Sequence, residues 1–255
     1  MVRGLEIFRK YFASYQDHYV LIGGTATTLV MEEAGIEFRA TKDLDIVLYV
    51  EALTADFGRV LWRFIEDGKY EIRQQSSGKP QFYRFQKPGD TSFPEMLELF
   101  SRIPDGLILA PDSHLTPIPL EDDALSSLSA ILLDNDYYDF IIAGRKLGDG
   151  LAWIEADRLI PLKASAWLDL TARQAKGEKI DSKNIRKHLN DVLRLSQLLT
   201  ATTTFELPRK VSRDLDAFLN EITRQQGLDL KSLGIKNSDT KEVIGRIRQA
   251  FRLNG

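Results

Sequence analysis

The sequence predicts an α/β (α+β) fold in two parts, a helix-flanked sheet over residues 1–156 and a helical region over 157–255. Three observations lead there. Residues 19–68 read strand, helix, strand, helix, with short apolar runs alternating with 3.6-residue periodicity. Residues 70–100 then offer three short strand-like segments separated by polar turns. From Asp157 onward the character turns helical.

Each element has its own signal. Leu5, Phe8, Phe12 and Tyr15 recur at helical spacing, so a first amphipathic helix covers 5–18 with its aromatics in the core. A strand follows over 19–22, then Gly23-Gly24 as a turn and a helix over 25–33 that ends near Gly35. The apolar run over 44–50 is the next strand. Phe57, Val60, Leu61, Phe64 and Ile65 form one helical stripe, with Gly68 as a stop signal. Strand-like segments lie at 70–73, 81–86 and 96–100, the first two separated by the polar loop QQSSGKP. Two apolar runs around Asp134-Asn135-Asp136 read either as a hairpin or as a helix followed by a strand. Gly144, Gly148 and Gly150 mark a hairpin turn in GRKLGDG, ahead of a strand over 151–155. Beyond it come an Ala/Leu-rich helix, a polar GEK loop, a cap signal at Asp181 or Ser182, and a helix to about Leu199. A Thr-rich connector leads to two last helices, about 208–226 and 239–253.

Composition narrows the function. With 43% hydrophobic and 28% charged residues the chain reads as soluble and globular, long enough for one large or two modest domains. No apolar run approaches the roughly 20 residues that span a bilayer, and MVRGLEIFRKYF lacks the apolar core of a signal peptide. The expectation is a cytoplasmic protein with no membrane partner. The absence of cysteine excludes disulfides, thiolate zinc sites and a cysteine nucleophile. His18, His114 and His188 have no metal-binding spacing, and H-E-x-x-H, G-x-S-x-G and the G-x-x-x-x-G-K-[ST] phosphate loop are all missing. The net charge of −3 conceals an asymmetry: 15 Lys+Arg against 25 Asp+Glu over 1–156, 9 against 5 over 157–199, and 10 against 7 over 200–255. A basic C-terminal half suits a nucleotide or an RNA backbone, although ordinary solvated helix faces carry the same residues.

The chemistry concentrates in residues 19–49. Asp43 and Asp45 stand two apart on a strand, so both project from one face of the sheet. Among Leu44, Ile46, Val47 and Leu48, two neighbouring carboxylates require an offset for their charge. A divalent cation is the simplest, because Mg²⁺ is typically held by one or two carboxylates plus substrate phosphates. Upstream, Gly23-Gly24 lets the backbone approach an anion closely, and the following helix aims unpaired N–H groups at it. The plain alternative is a charged edge strand and an ordinary turn. Glu98, central in the apolar run MLELF, is likewise either at an exposed edge or a ligand.

This stretch resembles the first motif of the nucleotidyltransferase superfamily with the DNA-polymerase-β-like core. It is most similar to the AbiEii/AbiGii-type toxins of toxin–antitoxin and phage-defence systems. There a Gly-Gly-Thr turn precedes an Arg-x-Thr-x-Asp-φ-Asp strand (φ apolar), matched here by Gly23, Gly24, Thr25, Arg39, Thr41, Asp43 and Asp45. The resemblance implies a mixed sheet flanked by helices, a turn that holds the triphosphate of an NTP, and two aspartates that bind catalytic Mg²⁺, with two ions expected. It also implies a third carboxylate on a neighbouring strand. Glu98 fills that place rather than Glu95, which lies three residues away and faces the other side. A lysine early in the first helix of the helical region and an aspartate in the second correspond to Lys163 and Asp191, in PLKASAWLDLTAR and KHLNDVLRL. Lys163 would neutralise triphosphate charge, and Asp191 would orient Lys163 or draw a proton from the acceptor hydroxyl. Without the resemblance, Lys163 reads as a helix-surface lysine and Asp191 as a partner of Lys187 or Arg194.

The implied activity is transfer of a nucleoside monophosphate from an NTP to an acceptor hydroxyl, with the helical region closing over the nucleotide. The implied acceptor is tRNA or another cellular molecule, and the implied partner a cognate antitoxin. Two other readings fit the residues. One is a transferase acting on a small molecule of the aminoglycoside type, which the acidic N-terminal half favours. The other is a catalytically silent binding module. A positive rim formed by Lys163, Lys183 and Lys187 would favour RNA.

Overall fold

A computed structural model describes residues 2–49, 52–71, 82–100, 131–132, 134–225, 228–236 and 238–253. The chain divides into two compact units, Met1–Leu132 with Ile142–Glu155, and Leu133–Ile141 with Ala156–Gly255. The parts of the strand expected over 70–73 that fall at Ile72 and Arg73 lie outside the described residues.

In the first unit, helix α1 (Leu5–Phe12) and a 3₁₀ segment (Ala13–His18) lead into β1 (Tyr19–Ile22), α2 (Gly23–Glu33), β2 (Asp43–Leu48) and α3 (Ala55–Asp67). Strands β3 (Phe82–Gln86) and β4 (Met96–Phe100) follow; α4 (Asn135–Ala143) then leads to β5 (Arg145–Gly148) and β6 (Leu151–Ile154). The described strands form one mixed sheet in the order β3-β4-β2-β1-β6-β5. β1 runs antiparallel to β2 and parallel to β6, while β2 runs parallel to β4. All four residues of β1 are fully buried, which is why YVLI is a continuous apolar run rather than an alternating one. The mixed α/β architecture expected from the sequence is the observed one.

The aromatics of α1 are core, as their spacing implies. Phe8 and Phe12 stack at 4.4 Å between ring centres, Phe8 meets Tyr19 edge-on at 5.2 Å, and Phe12 meets Phe64 of α3 at 5.5 Å. The α-helix stops at Phe12, however, and Tyr15 within the 3₁₀ segment has non-helical backbone angles. At α3 the Thr54 hydroxyl accepts from the Phe57 N–H at 3.2 Å, a side-chain cap for donors that the helix itself leaves unpaired. Thr54→Ala is therefore expected to lower unfolding free energy by about 1 kcal/mol, measurable by urea denaturation.

Three local readings are corrected. Gly23-Gly24 is not a turn ahead of a helix; it is the first turn of α2 itself. Arg145–Gly148 is a strand, and the hairpin turn contracts to Asp149-Gly150, whose φ values of 47° and 73° suit a two-residue turn with both residues left-handed. Around Asp134–Asp136 neither alternative holds: the second apolar run is the helix α4, and the next strand, β5, lies beyond it.

The second unit is helical: the start of α4, then α5 (Ala156–Ala175), α6 (Ser182–Leu195), α7 (Arg209–Arg224) and α8 (Thr240–Ala250). Asp181 is the cap of α6, accepting from the Lys183 N–H at 2.8 Å, and Asp239 with Glu242 forms a reciprocal capping box on α8. Trp167 of α5 packs edge-on against Phe218 of α7 at 5.3 Å. Tyr137 Oη donates to Asp214 Oδ2 at 3.2 Å, and Lys210 Nζ lies 2.9 Å from Asp134 Oδ2, so α4 is fastened to α7 by two polar ties. Among the described residues no helix is long and apolar enough to cross a membrane.

Candidate active site

The centre of the first unit's sheet carries a row of residues on one face. Arg84 of β3 stands opposite Glu98 of β4, Glu98 opposite Asp45 of β2, and Asp45 opposite Ile22 at the end of β1. Asp43 lies two residues before Asp45 on the same face. Both aspartates are half-buried, whereas Leu44 between them is fully buried. The chain pattern D-L-D thus points its carboxylates one way and its leucine into the core.

Helix α2 brings its first turn against this row. Its cap residue, Ile22, contributes no side-chain hydrogen bond, and Gly23 adopts φ 61°. A Cβ on Gly23 would lie 1.9 Å from Asp45 Oδ2, so the carboxylate sits where any side chain at this position would have to go. At Gly24 a Cβ would be 2.9 Å from Thr41 Oγ1 and 3.7 Å from an Arg39 guanidinium nitrogen. The Thr25 hydroxyl donates to the Asp43 carbonyl at 2.8 Å, tying α2 to β2 beside the first aspartate. The threonines that follow are buried without penalty: Thr27 and Thr28 hydroxyls donate back to the Gly23 and Gly24 carbonyls at 2.6 and 3.0 Å. Gly23, Gly24, Thr25, Arg39, Thr41, Asp43 and Asp45 therefore stand around one place, with Glu98 beside them in register.

Two consequences of that packing differ sharply between the glycines. Gly23→Ala must hold a left-handed backbone, a strain of about 1–3 kcal/mol, and must also displace Asp45. Gly24→Ala crowds the Thr41 hydroxyl and otherwise meets Thr41 and Arg39 at ordinary contact distance. Thermal melts are expected to rank Gly23→Ala well below Gly24→Ala, with the former alone losing Asp45-dependent ligand binding.

Glu98 is neither at an edge nor free. It is 7% exposed, and Arg84 Nε donates to its Oε1 at 2.7 Å while a second guanidinium nitrogen reaches the same oxygen. Burial, then the Asp45 charge, push its carboxyl well above the usual range, with Asp43 adding to the push and Arg84 opposing it. An arginine thus meets the Glu98 charge, beside the aspartates for which the sequence reading invoked a cation. Arg84 escaped the sequence reading, although a signal existed: a lone cation centred in FYRFQ, as Glu98 is a lone acid centred in MLELF.

The donor chemistry suits a hard divalent ion, since Asp43 and Asp45 present carboxylate oxygens on one face beside a helix N-terminus. Among the described residues, no group of three His, Asp or Glu side chains is arranged to hold a metal ion. The residues fit an ion that takes two carboxylates and completes its shell with phosphate oxygens and water, not a ready-made cage.

Lys163 and Asp191 belong to the helical unit. Lys163 Nζ donates to Asp191 Oδ2 at 2.7 Å, joining α5 to α6, and both side chains are almost completely buried. Lys163 is therefore not a helix-surface lysine, nor part of an exposed positive rim with Lys183 and Lys187, which are exposed on α6.

No family model and no curated protein matches the chain. Among solved structures it is similar to that of an antigenic nucleotidyltransferase-like protein from Paracoccidioides brasiliensis, with 17% sequence identity, 94% of this chain and 98% of that chain covered, and a TM-score of 0.44.

Proposed function

We propose that the chain is a metal-dependent nucleotidyltransferase. The reading is carried by one juxtaposition: the bare first turn of α2, at Gly23, lies directly against the carboxylate of Asp45, with Asp43 on the same face. A helix N-terminus favours phosphate, and paired aspartates favour the cation that accompanies it. Arg39 and Thr41, packed at Gly24, add a positive charge and a hydroxyl for the phosphate oxygens. When bound, Mg²⁺ supplies charge neutralisation at the triphosphate. Asp43 and Asp45 hold the ion, and the α2 backbone orients the phosphates. The acceptor hydroxyl oxygen bonds to the α-phosphorus as the bond to the bridging oxygen breaks, releasing pyrophosphate and the hydroxyl proton. Lys163 and Asp191, expected from the resemblance to serve the triphosphate, form a buried ion pair within the helical unit.

The acceptor in this proposal is tRNA or another RNA, favoured by the exposed Lys183, Arg186 and Lys187 of α6. Membership of the AbiEii type, the toxin role and an antitoxin partner are proposed from the residue pattern at Gly23–Asp45 alone. The test is transfer of label from each α-³²P-labelled NTP, with Mg²⁺, onto total tRNA, cell-extract protein and an aminoglycoside. Label on tRNA that requires Asp43 and Asp45 supports the proposal; label on the aminoglycoside alone replaces the acceptor. Absence of both labelling and Mg²⁺–NTP binding would favour the silent binding module.

A further inference from the structure

We infer that the Arg84 guanidinium occupies the role of a second cation, so that the site binds one divalent ion, on Asp43 and Asp45, and Glu98 is not a metal ligand. The inference rests on the reading of the two aspartates as a cation site. Three observations carry it. The sheet register sets Arg84, Glu98 and Asp45 side by side across β3, β4 and β2, so the positive group is fixed at the end of a row of acids by backbone pairing. Two guanidinium nitrogens converge on the same Glu98 oxygen, Nε at 2.7 Å. And no three-carboxylate metal arrangement exists among the described residues.

The physical argument concerns exchange. Glu98 is 9% exposed at the side chain and Arg84 21%, so giving Glu98 to an ion takes that carboxylate from a part-buried guanidinium and sets two positive charges side by side. A buried pair broken on one side leaves an uncompensated charge, and Mg²⁺ gives up its water reluctantly and only for near-octahedral geometry. Asp43 and Asp45 meet the ion at the half-buried end of the row, where water and phosphate oxygens can complete its shell. Arg84, being permanently charged, remains a fixed positive charge beside Glu98 whatever the protonation of that carboxyl.

The experiment counts ions. Mn²⁺, which is visible by electron paramagnetic resonance, is titrated into the full chain in the presence of a non-hydrolysable α,β-methylene NTP, after removal of unbound complex. One ion per chain is expected for the natural protein, none for Asp43→Asn/Asp45→Asn, and two for Arg84→Met, in which Glu98 is released. Two ions in the natural protein would overturn the inference while leaving the cation site standing, and need no variant to fold. A single ion in folded Arg84→Met would equally remove Arg84 from the role. No bound ion in the natural protein would overturn the cation reading itself, and this inference with it.

Discussion

Asp43→Asn/Asp45→Asn is expected to lose nucleotidyl transfer by roughly 10³-fold or more while folding at least as stably as the natural chain. Lewis-acid stabilisation of phosphoryl charge is worth several kcal/mol, and each 1.36 kcal/mol is tenfold in rate. The stability side has a separate cause. Asp45 stands directly opposite Glu98 across the parallel β2–β4 pair, and like charges held opposite one another on neighbouring strands are destabilising. Asparagine keeps the size and removes the repulsion, so the melting temperature should stay level or rise by a few degrees, at about 2–4 °C per kcal/mol for a chain near this size. The combination discriminates: a functional pair is costly to keep and lost without structural damage, whereas a structural pair would cost stability on removal. A melting temperature that falls together with activity would make the aspartates structural.

How much of this was legible in the sequence depended on the range of the interaction. Asp43 and Asp45 were readable because a period of two on a strand is local geometry, and β1 because a short β-branched and aromatic apolar run closed by Gly-Gly is too brief for a helix. Glu98 was identified as anomalous from its own neighbours, yet its partner was not, because Arg84 is fourteen residues away across a strand pairing. No local pattern specifies which strand becomes its neighbour or in what register. Gly23 shows the same limit. A Gly-Gly pair before a helix reads as a turn, and only the position of the Asp45 carboxylate in space shows why the helix must begin with a residue lacking Cβ. The hairpin after Gly144 failed differently: three glycines suggested one broad turn, whereas Asp149, able to adopt φ 47° beside Gly150, closes a two-residue turn and leaves Gly148 in the strand.

Lys163 and Asp191 sharpen this point into an expected result. Twenty-eight residues apart, they read from local pattern as a helix-surface lysine and a partner of Lys187 or Arg194, and only the resemblance set Asp191 beside Lys163; in the structure they are a buried pair with the ammonium 2.7 Å from the carboxylate. Lys163→Met leaves Asp191 charged and buried without its ammonium, and removing one member of such a pair costs about 3–5 kcal/mol. Lys163→Met/Asp191→Leu removes both charges at similar volume, and pairs replaced in that way are neutral or more stable. The single variant should therefore melt far below the natural chain and the double variant close to it. Transfer that stays lost in the double variant would mark Lys163 as functional, because an apolar pair restores packing and supplies no cation. Recovery of transfer together with stability in the double variant would mean that the pair does no more than join α5 to α6. In that case Arg39, packed beside Gly24 at the start of α2, is the cation on which triphosphate binding should depend.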